Sequence, residues 1–354
     1  MSKIINILRR KRTVPLDQFI NIALYDKKFG YYMKKNPFGK QGDFITSPLI
    51  SSLFGEMIAI WIIAFWEHIG KPKKILLVEL GPGDGSLCED LLKIFKRFNK
   101  FYNCLEINLL EISNKLKKIQ KEKINNKKVK WIKKIKEVNS GPVIFFGNEF
   151  FDALPIKQIH RRRKSFYEKY VTLSNDQKKI KFLNKKTNKK LIKNLHSLNL
   201  ISSSHLIEYP IEAIKYLNEI AKKINKFNGG LLTLDYGYNI KKNQDTLQSI
   251  KKHKYSNLFS KPGNSDITSH INFKLFSKIL KKNKLNVKKI VNQSEFLKRL
   301  GILERAHILS QKMTFKEKAN MFYRLKRLLD QKEMGDLFKV IFAQKKNINF
   351  SLGF

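Results

Sequence analysis

Acid is what this 354-residue chain lacks most: 29 aspartates and glutamates stand against 72 lysines and arginines, a net charge of +43. That surplus would suit a polyanion held through phosphate contacts. The lysines, however, are spread through nearly every segment, travel with abundant isoleucine and asparagine as A/T-rich coding dictates, and carry no nucleic-acid motif. A nucleic-acid partner is not expected. Arg161-Arg162-Arg163-Lys164 is the one compact basic cluster, expected at a hairpin turn facing water. Cysteine is scarce too: Cys88 and Cys104 have neither metal-type spacing nor a neighbouring histidine. They read as small buried hydrophobes in a reducing compartment, with no disulfide and no metal. Long apolar runs are absent. Met57 to Phe65 is far too short to span a bilayer and reads as a core helix. The N-terminus has no apolar h-region, so secretion is not expected. Ile4 to Leu8 followed by Arg9-Arg-Lys-Arg12 suits either a mitochondrial presequence or a first helix. The expected location is the cytoplasm of a bacterium, or the mitochondrial matrix of a eukaryote.

A further absence lies in Ile75-Leu-Leu-Val-Glu-Leu-Gly-Pro-Gly-Asp-Gly-Ser86. A strand-length apolar run breaks into Gly81, Gly83 and Gly85, and a helix patterned by Leu87, Leu91, Leu92, Phe95 and Phe98 follows. A dinucleotide G-x-G-x-x-G would need glycine where Ser86 stands, so S-adenosyl-L-methionine fits better than a nicotinamide or flavin. Glycines remove every Cβ from the corner, letting a ligand lie against the main chain. Next comes Ile107 to Ile112, a strand whose Glu111 falls where a carboxylate can accept both ribose hydroxyls of an adenosyl group. The alternative is a plain tight turn with Glu111 as a solvated acid.

Strands are expected near 75–80, 107–112, 128–132, 142–147 and 231–236, with helices between most of them, as in a parallel doubly wound α/β sheet. Leu285 to Val291 and Phe338 to Gln344 would complete the seven-stranded, Rossmann-like sheet of class I methyltransferases, with one strand reversed. Helices Glu212 to Phe227 and Phe273 to Lys282 should flank the fifth strand, Gly229-Gly230 capping the first of them. A helical N-terminal extension is expected over 1–70. The methyltransferase domain then spans 71–354, with a basic hairpin-like insertion at 155–205 and a helical one at 294–337. Such extensions roof the open end of a sheet and recognise substrate. The Asn- and Lys-rich run 175–193 reads as a mobile solvent loop.

After the fourth strand stands Gly147-Asn-Glu-Phe-Phe-Asp-Ala-Leu-Pro155, where the reactive methyl would lie. Asn148, Glu149 and Asp152 put two carboxylates and an amide within one turn, with Phe150 and Phe151 as walls against water. Methyl transfer is an in-line displacement, so the protein must orient a lone pair and exclude solvent. Paired carboxylates suit a guanidinium, whose planar fork they can hold bidentately. Alternatively Asn148 or Asp152 caps a helix. His270, within Asp266-Ile-Thr-Ser-His270, could accept a proton near neutral pH, while Asp266 or Thr268 could cap the helix starting near Phe273. Asp235, ending the fifth strand, is expected to position a loop.

Together these segments resemble the MidA family of methyltransferases, which includes a mitochondrial complex I assembly factor acting as a protein arginine methyltransferase. The resemblance covers almost the whole chain: Leu24 to Tyr32, Gly42 to Pro48, Phe54-Gly-Glu56, Glu79 to Gly85, Leu110 to Ser113, Asn148 to Pro155, Glu208-Tyr-Pro210 and Leu234 to Gly237 follow in order. So do His253-Lys-Tyr255, Pro262-Gly263 with Asp266 to Thr268, Gln293, Phe296-Leu297, Leu300 to Ile302, Met334-Gly335 and Leu337-Phe338. It implies a class I fold, S-adenosyl-L-methionine as donor with Glu79 joining the glycine turn and Glu111 in holding it, and an arginine of a respiratory complex I subunit as acceptor. One departure stands out: the family's Ser-Pro segment continues with glutamate, and here Leu49 follows. A non-catalytic cofactor-binding assembly factor and an RNA-binding methyltransferase are the other readings.

Overall fold

The computed structural model describes residues 2–34, 37, 52–201, 205–239, 245–251 and 254–354. Gly42 to Pro48, Leu49 and His253 lie outside them. Seven strands make the central sheet: β1 (Ile75–Leu80), β2 (Leu105–Leu110), β3 (Val129–Ile132), β4 (Val143–Asn148), β5 (Gly229–Tyr238), β6 (Leu285–Val287) and β7 (Phe338–Lys345). Their order is β6-β7-β5-β4-β1-β2-β3, and Ile271–Asn272 and Val291–Asn292 add short pairings on β5 and β7. The five strands from β5 to β3 are parallel; β7 runs antiparallel to both neighbours. This is the expected doubly wound α/β arrangement with its reversed strand. Strand order reverses between β1 and β4, so a crevice opens there at the strands' carboxyl ends.

All six residues of β1 are buried, as a strand covered on both faces requires. Ile75 and Leu77 enter one core; Leu76, Val78 and Leu80 enter the other. Helix Ser52–His68 is apolar nearly all round, and Trp61 stacks on Phe65 and meets Phe342 edge-on. Such a helix must be enclosed on most sides. On the opposite face, helix Ile211–Phe227 turns Ala213, Leu217, Ile220, Ala221 and Ile224 inward. Burying each of its large apolar side chains contributes about 1.5–3 kcal/mol.

A third core joins the N-terminal segment to the insertion. Leu8, Leu16 and Phe19 pack with Ile156, Val171 and Ile267. Strand Thr13–Pro15 pairs with Tyr170 to Thr172 at the edge of an antiparallel sheet whose other members are Lys157–Arg162, Ser165–Leu173, Ile180–Lys186 and Leu206–Tyr209. Lys157 bridges Asp17 at 2.9 Å and Glu168 at 2.5 Å, tying helix Leu16–Tyr25 to that sheet. Arg161 to Lys164 falls at the exposed hairpin turn between two of its strands.

Three expectations need correction. The 175–193 run is not a loop: Ile180–Lys186 pairs in seven registers with Ser165–Leu173, and Asn188 caps helix Lys189–Ser197 at 2.8 Å from the Leu191 amide. One solvent-facing edge strand needs few apolar residues, so its composition resembled a linker. Cys104 is half-buried at a helix end, its thiol on the Lys100 carbonyl, whereas Cys88 is buried. Asp266 and Thr268 cap nothing; they lie buried in strand Asp266–Thr268, and Asn272 caps helix Phe273–Lys282. Among the described residues no helix is long and apolar enough to cross a membrane.

Candidate active site

The cofactor corner is built from β1 outward. Gly81, Gly83 and Gly85 have φ of +63°, +57° and +84°, and helix Ser86–Phe95 starts directly behind them. That left-handed series is open to glycine and strained for other residues. At Gly81 a Cβ would also meet the Phe150 ring at 2.8 Å, so the missing side chain lets the β4 loop close against the turn. Asp84 accepts from Lys123 at 2.6 Å and from the Ser86 amide, bracing the corner from helix Asn114–Ile124.

Glu111 follows β2 and is buried. Its Oε1 accepts the Ser113 amide at 2.7 Å, and its Oε2 accepts Gln120 Nε2 at 3.1 Å. Gln120 also donates to the Gly83 carbonyl at 2.8 Å and accepts from Trp131 Nε1 at 2.8 Å. One fully buried amide therefore spaces the glycine turn from the strand-end acid. Each Glu111 oxygen retains acceptor capacity, so a vicinal diol could bind in front of it. Burial raises its pKa, outweighing those donors. Glu79 is more perturbed: desolvation, then Asp84, pushes it up to about 8, and its Oε2 is buried with no hydrogen-bond partner.

The β4 loop forms the facing wall. Asn148 ends the strand, its Nδ2 donating to Glu149 at 3.2 Å while its Oδ1 is buried without a partner. Glu149 has φ of +51°, a left-handed conformation uncommon outside glycine. No helix begins here, so neither Asn148 nor Asp152 is a cap. Phe150 lines the cleft, whereas Phe151 turns away into the core against Phe276. Asp152 is buried; Tyr236 donates to its Oδ2, its Oδ1 has no partner, and desolvation pushes its pKa up to about 6. Asp235 Oδ2 accepts the amides of Phe151 at 3.0 Å and Asp152 at 3.2 Å, so it holds the loop as expected. His270 stands edge-on to Tyr236 with ring centroids 5.4 Å apart.

Eight of the nine residues singled out beforehand, Glu79, Gly81, Gly83, Glu111, Asn148, Glu149, Asp152 and His270, line one cleft of about 650 Å³; Gly85 does not line it and packs instead against Ile124 and Gln120 at the start of helix Ser86–Phe95. Sequence reasoning missed Gln120, Tyr25 and Tyr32. Gln120 sits in a lysine-rich helix with nothing to mark it. The tyrosines belong to the N-terminal helices, and only the docking of those helices brings them to the cleft. The glycine cradle, the orphaned Glu79 oxygen and the presented Glu111 fit an adenosyl cofactor bearing a positive centre.

Known proteins share this chain's sequence pattern and fold. Residues 57–291 match the family described as "Putative S-adenosyl-L-methionine-dependent methyltransferase". The mitochondrial protein arginine methyltransferase NDUFAF7 of Xenopus tropicalis is 30% identical over 94% of this chain and 83% of its own length. The human protein of that name is 27% identical over 93% and 80%. A Burkholderia thailandensis protein solved with S-adenosyl-homocysteine superposes with a TM-score of 0.83, at 21% identity, over 98% of this chain and 92% of that one. By the reach of the family match and by its nearly full-length relatives, this chain belongs to that family of S-adenosyl-L-methionine-dependent methyltransferases.

Proposed function

We propose that this methyltransferase modifies an arginine side chain of a partner protein, a respiratory complex I subunit being the expected acceptor. The observation that carries the reading is the sign of charge in the cleft. In a chain of net charge +43, the lining includes Glu111, Glu149, Asp152, Glu212 and Asp266, against Arg327 as the one lysine or arginine among the described lining residues; Glu79, its pKa pushed up to about 8, is largely neutral near pH 7 and adds little to that field. A cationic acceptor fits that field, and a phosphate-bearing RNA does not. The related proteins named as arginine methyltransferases support the same acceptor.

In this reading Glu79, the Gly81 to Gly85 turn and Glu111 hold the cofactor, and Asn148, Glu149 and Asp152 face the acceptor. S-adenosyl-L-methionine supplies an electrophilic methyl group on a sulfonium. The carboxylates orient the guanidinium so that one nitrogen points along the transfer line, and Phe150 keeps water from that line. Transfer to a guanidinium nitrogen releases one proton. Asp152, with a pKa of about 6, is ionised near neutral pH and in this reading takes it. His270 stands at the same cleft as an alternative proton acceptor. The relatives' mitochondrial names support a mitochondrial location for a eukaryotic chain, with the matrix as the proposed compartment; the cytoplasm is the proposed place for a bacterial one. Mass spectrometry of respiratory-complex subunits from cells with and without the gene tests the acceptor. An arginine methylation that disappears supports it; loss of a methyl group from RNA or a small molecule instead overturns it.

A further inference from the structure

Resting on the arginine reading above, we infer that the acceptor's guanidinium enters a two-sided subsite: Asp152 from the β4 loop, Asp266 from the Asp266–Thr268 strand, and Tyr25 with Tyr32 as an aromatic wall contributed by the N-terminal helices. The four residues come from three distant stretches of sequence, and the fold locks them together. Tyr32 Oη donates to Asp266 Oδ2 at 2.9 Å across 234 residues, and the Ile267 amide donates to Asp266 Oδ1 at 2.9 Å. Tyr25 Oη donates to the Ala153 carbonyl at 3.0 Å, beside Asp152. The two rings stack, with centroids 5.7 Å apart and planes 17° apart. The Ser269 amide donates to the Asp152 carbonyl at 3.0 Å, so the two acid-bearing segments are fixed relative to each other.

Electrostatics agrees with the geometry. Both tyrosine hydroxyls are pushed up by burial first and then by Asp266, with Asp152 a smaller contribution, in keeping with rings that stand near both carboxylates. Asp152, 5% exposed, keeps Oδ1 without a donor, and no lysine or arginine among the described residues pairs with it. A guanidinium meets these demands together. Its edge donors reach carboxylates on two sides, and its weakly hydrated face rests on an aromatic wall. A lysine ammonium, compact and strongly hydrated, gains less from a flat wall. The N-terminal helices thereby supply part of the acceptor site, and specificity for arginine depends on their docking.

The test uses the full chain saturated with S-adenosyl-homocysteine and titrated, by NMR, with N-acetyl-arginine amide or N-acetyl-lysine amide. Wild type should bind the arginine probe about 10-fold tighter than the lysine probe, and Asp266→Asn should weaken the arginine probe about 10-fold with S-adenosyl-homocysteine affinity unchanged. Tyr32→Phe keeps the ring but frees Asp266, and should cost about 3-fold; Tyr25→Leu should erode the arginine-over-lysine preference. If Asp266→Asn does not fold, the two tyrosine variants decide. Folded variants that bind the arginine probe as wild type does would overturn the subsite and leave the arginine reading standing. A wild type that prefers the lysine probe, or binds neither, would overturn both.

Discussion

Asp235 holds Asp152 by its backbone: one carboxylate oxygen on β5 accepts the Asp152 amide at 3.2 Å and the preceding Phe151 amide at 3.0 Å. The contact runs between adjacent parallel strands and fixes the one turn that carries Asn148, Glu149 and Asp152. Burial and the neighbouring acids Asp152 and Glu149 raise the Asp235 pKa well above the usual carboxylate range. A neutral acid still accepts through an oxygen.

Asp235→Ala should therefore leave two buried amides unsatisfied and lower stability by about 2 kcal/mol, with methyl transfer falling more than S-adenosyl-L-methionine binding. Asp235→Asn keeps an oxygen for that pair of amides but sets its NH2 against the Tyr236 N–H that Oδ1 accepts at 2.9 Å, and should lie between wild type and the alanine variant in both. Thermal melts with calorimetric titration of the cofactor separate the two effects. An alanine variant with full stability and full turnover would mean that the loop is held by other contacts.

Gly83→Val should abolish cofactor binding in a protein that still folds. The branched side chain would be added to a turn that lines the cleft, and its positive φ adds about 1–2 kcal/mol of strain, less than a domain's total stability. Circular dichroism paired with titration calorimetry checks this. A folded variant of unchanged affinity would move the cofactor elsewhere. Gln120→Leu, which leaves the glycines intact but unpins Glu111, should weaken binding about 10-fold by the same measurement.

The contrast between Gly83 and Gln120 shows how much of the site could be read beforehand. Glycines, strand-end acids and the Asn148 to Asp152 cluster are local: their roles follow from type and place along one βα unit. Gln120, Tyr25 and Tyr32 acquire theirs only through packing between distant segments, which periodicity does not encode. The central strands were legible because burial on both faces makes unbroken apolar runs. Strand Ile180–Lys186 was not, because nearly all of it faces water.

Stability without cofactor should fall as pH rises from about 4.5 to about 8. Glu79 has its pKa raised in the folded protein, so the native state holds this proton where the unfolded chain has released it. The stabilisation is complete below the unfolded value and lost as pH passes through the folded one, amounting to as much as about 5 kcal/mol. Denaturant titrations of wild type and Glu79→Gln across that range check the sign. The variant should be the more stable of the two at pH 8, and parallel curves would assign the pH dependence to other groups.

The final expectation concerns the acceptor side of the cleft. Asp152 must be ionised to receive the released proton, and burial places its pKa at about 6. With saturating cofactor, kcat/KM for an arginine-containing protein acceptor should rise with pH through that value, about 10-fold per unit on the acid limb. Asp152→Asn should lose both the rate and this limb. Glu149→Gln preserves shape and removes charge, so it should lower the rate by about 10-fold to 100-fold while keeping the limb near pH 6. Initial rates between pH 5 and 8 distinguish the two carboxylates. An acid limb that survives Asp152→Asn would assign proton uptake to another group, with His270 the next residue to replace.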